Sequence, residues 1–233
     1  MPALSDRLHA LRDAPAYHVA DAAAYVGVPA STLRSWIGRS SASRLPRGGV
    51  NGALIVAADQ ALGLLSFNNL VEAHILRIFR QIHNVRLPSI RVALDYASRD
   101  LNIPRPLLSR KLETDGVGIF IEHLGHLTDL SASGAIYLRS LLSAQLHRVD
   151  WDHSDLAYRL YPRVEDAPKG QARVVAIDPS LSFGRPLVLR RAIATEAIVS
   201  RIDLGESVAE VADDYELTLD EVNAAVMFEH QAA

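Results

Sequence analysis

Residues 18–37 read HVADAAAYVGVPASTLRSWI, and the fold of this chain turns on how that stretch is understood. A helix-turn-helix needs a small residue where its helices cross, a turn residue that tolerates positive φ, and apolar residues that lock the pair. Ala23 supplies the first and Gly27, four residues later, the second. Val19, Val26, Val28, Leu33 and Trp36 fall at the inward positions, and Ser31 or Thr32 is expected to cap the second helix. With those residues turned inward, Ala30, Ser31, Arg34 and Ser35 are left on the outer face, where side chains can reach base edges in a major groove. Together with Thr32 they form the candidate DNA-reading set, in which Ser31 and Arg34 read bases.

Immediately downstream, residues 38–52 (GRSSASRLPRGGVNG) are rich in Gly, Ser and Arg, and residues 53–65 (ALIVAADQALGLL) alternate apolar positions. Such a pair predicts a β-hairpin or wing, in which Arg39, Arg44 and Arg47 hold phosphates. A winged helix-turn-helix over residues 1–65 follows. Ser66 then caps a helix carrying Leu70, Val71, Ile75, Ile78, Phe79 and Ile82 at helical spacing. Pro88 opens another, with Ile90, Ala93, Leu94, Ala97 and Leu101 on one face. Residues 116–124, GVGIFIEHL, are Gly-flanked and rich in β-branched and aromatic types, which predicts a strand; helix returns over 131–149. Residues 66–160 are thus expected to be a helical and β middle region that dimerises, and the Pro, Gly and charged residues of 161–173 read as a linker. From 174 to 233 a short strand (RVVAID, beginning at Arg173) precedes two or three helices. Ser207 opens one, and Thr218 with Glu221 forms a capping box.

The 233 residues, 49% of them apolar, suffice for one large core or several small ones. No apolar run is long enough to span a membrane, and the absence of cysteine removes disulfides and thiolate zinc sites, which fits a reducing cytoplasm. The net charge of −3 conceals an asymmetry. Arg77, Arg80, Arg86, Arg91, Arg99, Arg105, Arg110 and Lys111 face only Glu72, Asp95 and Asp100, whereas residues 196–229 carry ten carboxylates against Arg201 alone. A basic front can meet phosphates; an acidic back cannot.

Residues 18–37 resemble the N-terminal winged helix of MerR-like regulators, and residues 65–94 resemble the helices that follow it in a group of VapB-type antitoxins. Residues 175–228 are similar to the domain-of-unknown-function family 433, whose pattern runs from Ile-Asp-Pro (Ile177 to Pro179), through Gly-x-Pro (Gly184 to Pro186), to Gly-Glu-Ser (Gly205 to Ser207) and a closing helix-turn-helix-like unit. Where that family carries Gly-Thr-Arg after Gly-x-Pro, this chain reads RRAIA, so any role of that turn is not carried over. The resemblance implies an antitoxin that represses its own operon and neutralises a PIN-like ribonuclease. Charge suggests two routes to neutralisation: Arg185, Arg190 and Arg191 reach a carboxylate-lined active site, or the acidic domain, with Asp213 and Asp214, covers the nuclease's basic RNA-binding surface.

Other signals carry less. His123 and His126 lack companion ligands for a zinc site, and DWDHSD, from Asp150, lacks the Gly and Glu of a calcium loop. No phosphate loop or catalytic triad order is present, so neither enzyme, metal nor cofactor is expected. An alternative is a stand-alone ligand-sensing regulator, with a pocket lined by Phe120, Tyr137 and Trp151. The main expectation is a mainly α chain with small β elements: a winged helix-turn-helix, a helical middle and a three-helix C-terminal domain. It is expected to act as a cytoplasmic homodimer whose partners are operator DNA and a PIN-like ribonuclease toxin, because two half-sites require a two-fold pair.

Overall fold

A computed structural model describes residues 4–38, 53–81, 87–103, 105–110, 117–127, 132–162 and 173–232. The helices are α1 (Leu4–Asp13), α2 (Val19–Val26), α3 (Ala30–Trp36), α4 (Phe67–Leu76), α5 (Leu87–Arg99), α6 (Val117–Leu127) and α7 (Ala132–Leu146). A hairpin of β1 (Val149–Trp151) and β2 (Ala157–Leu160) follows. The C-terminal unit holds β3 (Val175–Ala176), β4 (Leu187–Val188) and β5 (Ile193–Ala194), then α8 (Thr195–Asp203), α9 (Val208–Asp214) and α10 (Leu219–Ala232). The fold is mainly α, with two small antiparallel sheets, β1-β2 and β3-β4-β5.

At the centre lies α4, buried on nearly every side, with Phe67, Leu70, Val71, Ala73, Ile75 and Leu76 all shielded from water. Ser66 caps it as the sequence predicts, accepting from the Asn69 N–H at 3.2 Å. Burial obliges the polar side chains of this helix to find partners. Asn69 does so completely: its carbonyl accepts from the Ser66 and Ala58 N–H groups, and its amide donates to the Val56 carbonyl at 3.0 Å and to Glu72 at 2.9 Å. Asn68 donates to Asp13 at 2.8 Å, which ties α4 to α1.

Residues 116–124 correct the strand expectation. Val117–Leu127 is helical, with Phe120, Ile121 and Leu124 buried at the i, i+1, i+4 spacing of one helix face, and Phe120 sits edge-on to Phe79 with ring centroids 6.3 Å apart. Packing on one side overrides the strand preference of its Ile and Val residues. Of the expected hairpin after α3, residues 39–52, including Arg39, Arg44 and Arg47, lie outside the described residues. Residues 53–65 fold as a turn closed by single bridges, Asp59 to Leu64 and Tyr17 to Leu65, rather than as a regular strand.

One continuous apolar core runs from Tyr17 through α4 and α7 to Ile177, and a second, smaller one (Val188, Ile198, Val211, Leu217, Val222, Ala225) fills the C-terminal unit. The units are joined covalently through residues 163–172 and non-covalently at several points. Leu160 and Ile177 exchange backbone hydrogen bonds at 2.9 and 2.8 Å, and Arg159 pairs with Asp178 at 3.0 Å. α10 begins with the capping box read from the sequence, Thr218 with Glu221, and Ser207, expected to open α9, forms a second one with Glu210.

Candidate functional site

The helix-turn-helix forms as its spacing requires. Gly27 ends α2 in the left-handed conformation (φ 65°, ψ 47°), its N–H bonded to the Ala24 carbonyl at 3.0 Å, while the Val28 N–H reaches the Ala23 carbonyl at 2.9 Å. Ala23, Val26, Val28, Leu33 and Trp36 are buried and Val19 is half-buried. Neither Ser31 nor Thr32 caps α3: the N-cap is Pro29, whose carbonyl accepts from Thr32 and Leu33. Proline holds φ in a range compatible with that position, so the helix starts early and both hydroxyls lie inside its first turn. Ser31 and Arg34 are exposed on the outer face, and Ala30, Thr32 and Ser35 are half-buried beside them.

The basic stretch between residues 72 and 111 is not one phosphate-facing surface. Arg77 is only 7% exposed, and its Nη1 donates to the Val26 carbonyl at 3.0 Å, satisfying a carbonyl left open at the C-terminus of α2. Its guanidinium also fills the space beside Gly27, where an added Cβ would come within 2.7 Å of Nη1. Arg105 pairs with Asp13 at 2.9 Å and with Glu72 at 3.7 Å. A signal for Arg77 existed: it is flanked by the apolar Ile75, Leu76, Ile78 and Phe79, a setting in which a charge needs a buried partner.

The C-terminal unit packs against the helix-turn-helix unit. Tyr25 of α2 lies 6.1 Å from Phe228 of α10 and 6.3 Å from Tyr17, ring centroid to centroid. Tyr17 donates to the Gly184 carbonyl at 2.9 Å. Between α2 and the C-terminal unit runs a groove of about 480 Å3, lined by Ala20, Asp21, Ala24, Tyr25, Arg185, Pro186, Ala194, Thr195, Glu196 and Glu229. Burial, reinforced by the nearby Asp21, Glu229 and Glu196 charges, pushes the Tyr25 phenol up to about 12.

Of the residues proposed for partner binding, Arg190 forks onto Glu221 at 2.7 and 2.8 Å and donates to the Glu216 carbonyl at 2.5 Å; Arg191 pairs with the Glu216 carboxylate. Arg185 is more than half exposed and, among the described residues, ion-pairs with Glu196 alone, at 3.5 Å. Asp214 pairs with Arg201 at 2.6 Å, and Asp213 is exposed on α9. The two clusters are thus largely engaged within the unit itself.

The aromatic pocket expected from the sequence does not assemble. Phe120 is core and Tyr137 is exposed on α7, while Trp151 lines a different cavity of about 480 Å3 with Leu11, Tyr158 and Pro179. The Asp152 carboxylate in the DWDHSD turn accepts from Ser154 N–H, Leu156 N–H and Arg12, which makes it the organiser of a hairpin turn. His123 stacks on Tyr96 with centroids 4.0 Å apart.

Residues 15–94 match a family described as "Putative DNA-binding HTH domain", and residues 175–228 match one described as "Protein of unknown function (DUF433)". "Putative antitoxin VapB45" of Mycobacterium tuberculosis is 27% identical over 231 residues, covering 92% of this chain and 93% of that protein. The crystal structure of Rv2018 from Mycobacterium tuberculosis has the same fold, with a TM-score of 0.66 at 23% identity over 91% of this chain and 98% of that one. The chain therefore resembles a VapB-type antitoxin along nearly its whole length, with a DNA-binding type of helix-turn-helix at one end and the unknown-function domain at the other.

Proposed function

We propose that this chain is the antitoxin of a type II toxin-antitoxin module, a cytoplasmic homodimer that represses its own operon and neutralises a PIN-like ribonuclease. The observation that carries the DNA-binding half is the outward face of α3, where exposed Ser31 and Arg34 stand over a fully buried lock of Ala23, Val26, Leu33 and Trp36. Rigid support behind a short polar face is what major-groove reading requires, and two copies would address two half-sites one DNA turn apart. Arg39, Arg44 and Arg47 hold flanking phosphates in this reading, and Ala30, Thr32 and Ser35 complete the contact face. The chain itself has no catalytic role in it.

The partner half rests on similarity to an antitoxin over 92% of the chain. Among the candidate cations, Arg185 is the least committed within its own unit, which favours it over Arg190 and Arg191 as a group that reaches toward a carboxylate-lined nuclease site.

A gel shift against DNA from upstream of the chain's own gene tests the first half. Arg34→Ala should weaken specific binding by about 1–3 kcal/mol and relax preference at one base position. Equal affinity of variant and wild type would overturn α3 as the reading helix. A ligand-sensing regulator remains the second reading, favoured by the cavity between Trp151 and Tyr158; it expects no captured ribonuclease.

A further inference from the structure

We propose that the groove between α2 and the C-terminal unit is the docking site for an extended basic segment of the partner protein. This deepens the antitoxin reading and rests on it. The floor is built of small or flat groups, Ala20, Ala24, Ala194 and Pro186, which leaves room for the aliphatic stems of Lys or Arg side chains. Its rim carries three carboxylates, Asp21, Glu196 and Glu229, against the single guanidinium of Arg185. Asp21 is exposed on α2 and forms no ion pair among the described residues; Glu196 is exposed and holds Arg185 only at 3.5 Å. Burial foremost, and then these same carboxylates against the opposing Arg185 charge, raise the Tyr25 phenol inside the groove.

A separate feature stands two residues from Arg185. Phe183 is 93% exposed, on a turn whose Ser182, Phe183 and Gly184 all have positive φ (45°, 56° and 76°) and which Tyr17 grips from within. A phenyl ring presented on a fixed turn loses little freedom on binding, the property of an interface anchor. A ribonuclease must carry cationic surface to hold RNA phosphates, and such surface complements this rim. A nucleic acid does not. Because α2 forms one wall, the occupant touches both units at once.

The test uses the full-length chain and a fluorescein-labelled nonapeptide of alternating Arg and Ala, read by anisotropy. Wild type should bind it at low salt, and Asp21→Asn/Glu196→Gln should weaken binding by roughly tenfold, while Asp203→Asn/Asp220→Asn, the same charge change elsewhere on the acidic unit, should cost less than about twofold. Equal losses in both variants would mean general acidity and overturn the site. A groove variant that changes the oligomeric state of the free chain, with peptide binding intact, would make the occupant a second copy and also overturn it. Co-purification with the ribonuclease separates the two levels. Wild type should retain the nuclease better than Asp21→Asn/Glu196→Gln and Phe183→Ser; equal retention by all three overturns the docking site and leaves the antitoxin reading standing. Failure of the wild-type chain itself to capture the nuclease overturns that reading, and this occupant with it.

Discussion

The Tyr17 hydroxyl donates to the Gly184 carbonyl at 2.9 Å, joining residues 167 positions apart in a buried contact between the helix-turn-helix and C-terminal units. The phenol also fills the place a side chain would take, since a Cβ on Gly184 would lie 2.3 Å from the Tyr17 oxygen. Tyr17→Phe leaves a buried carbonyl without its donor and should cost about 1–2 kcal/mol in urea unfolding. Gly184→Ala adds a clash and a left-handed backbone to an L residue, so it should cost more than Tyr17→Phe. Reversal of that order would show that the contact is incidental.

At the turn of the helix-turn-helix, Gly27→Ala meets two penalties. Its φ of 65° is unfavourable for a side chain, and its Cβ must push the Arg77 guanidinium off the Val26 carbonyl. The backbone part alone should cost about 1–2 kcal/mol. A thermal shift smaller for Gly27→Ala than for a surface change such as Asp203→Ala would contradict the assignment.

His74 of α4 makes stability depend on pH. It is fully buried, and neither ring nitrogen finds a hydrogen-bond partner of good geometry. Burial first, then the Arg148 and Arg77 charges, hold its imidazole down at about 3 from an ordinary 6.5, against a weaker opposing contribution from the Gln145 backbone. Between those values the unfolded chain binds a proton that the folded chain refuses, so the unfolded state gains as pH falls. Stability should decline below about pH 6.5, with a slope of up to about 1.4 kcal/mol per pH unit from this one group. His74→Leu should flatten the decline between pH 6 and pH 4.5 in urea titrations. An unchanged slope would assign the decline to other groups.

The two routes to neutralisation differ in which charges they need. If cations reach into the nuclease, reversing Arg185 to Glu should abolish inhibition, while Asp213→Asn/Asp214→Asn leaves it intact. If the acidic surface covers RNA-binding groups, the reverse pattern is expected, together with steep weakening by salt. Ribonuclease assays across a salt series distinguish them. Arg190 and Arg191 are poorer probes, because changing them also removes their ion pairs with Glu221 and Glu216.

The helix-turn-helix lock, the Ser66 cap and the Thr218–Glu221 capping box were legible because their determinants lie within a few residues of one another. What escaped reading depended on distant partners. Val117–Leu127 looked like a strand because β-branched and aromatic residues crowd it, and only the neighbours Phe79 and Ile90 of the same core give its face meaning. Arg77 looked like a phosphate contact because sequence does not reveal that the carbonyl of Val26, 51 positions earlier, waits for it. Gly184 and Pro186 stand in the sequence only as parts of a family pattern. The Tyr17 contact makes their turn a junction, and the acidic groove beside it exists only once α2, β5, α8 and α10 have come together.

Capture of the neighbouring gene's product tests whether this chain holds and silences a ribonuclease. The full-length chain, co-expressed with the product of its neighbouring gene, is purified by affinity capture and the complex assayed for RNA cleavage. Stoichiometric capture with cleavage suppressed, and cleavage restored when the chain is removed, is the expected result. A partner that is not retained, or one that is retained and cuts RNA at its full rate, would mean that the chain is not its antitoxin.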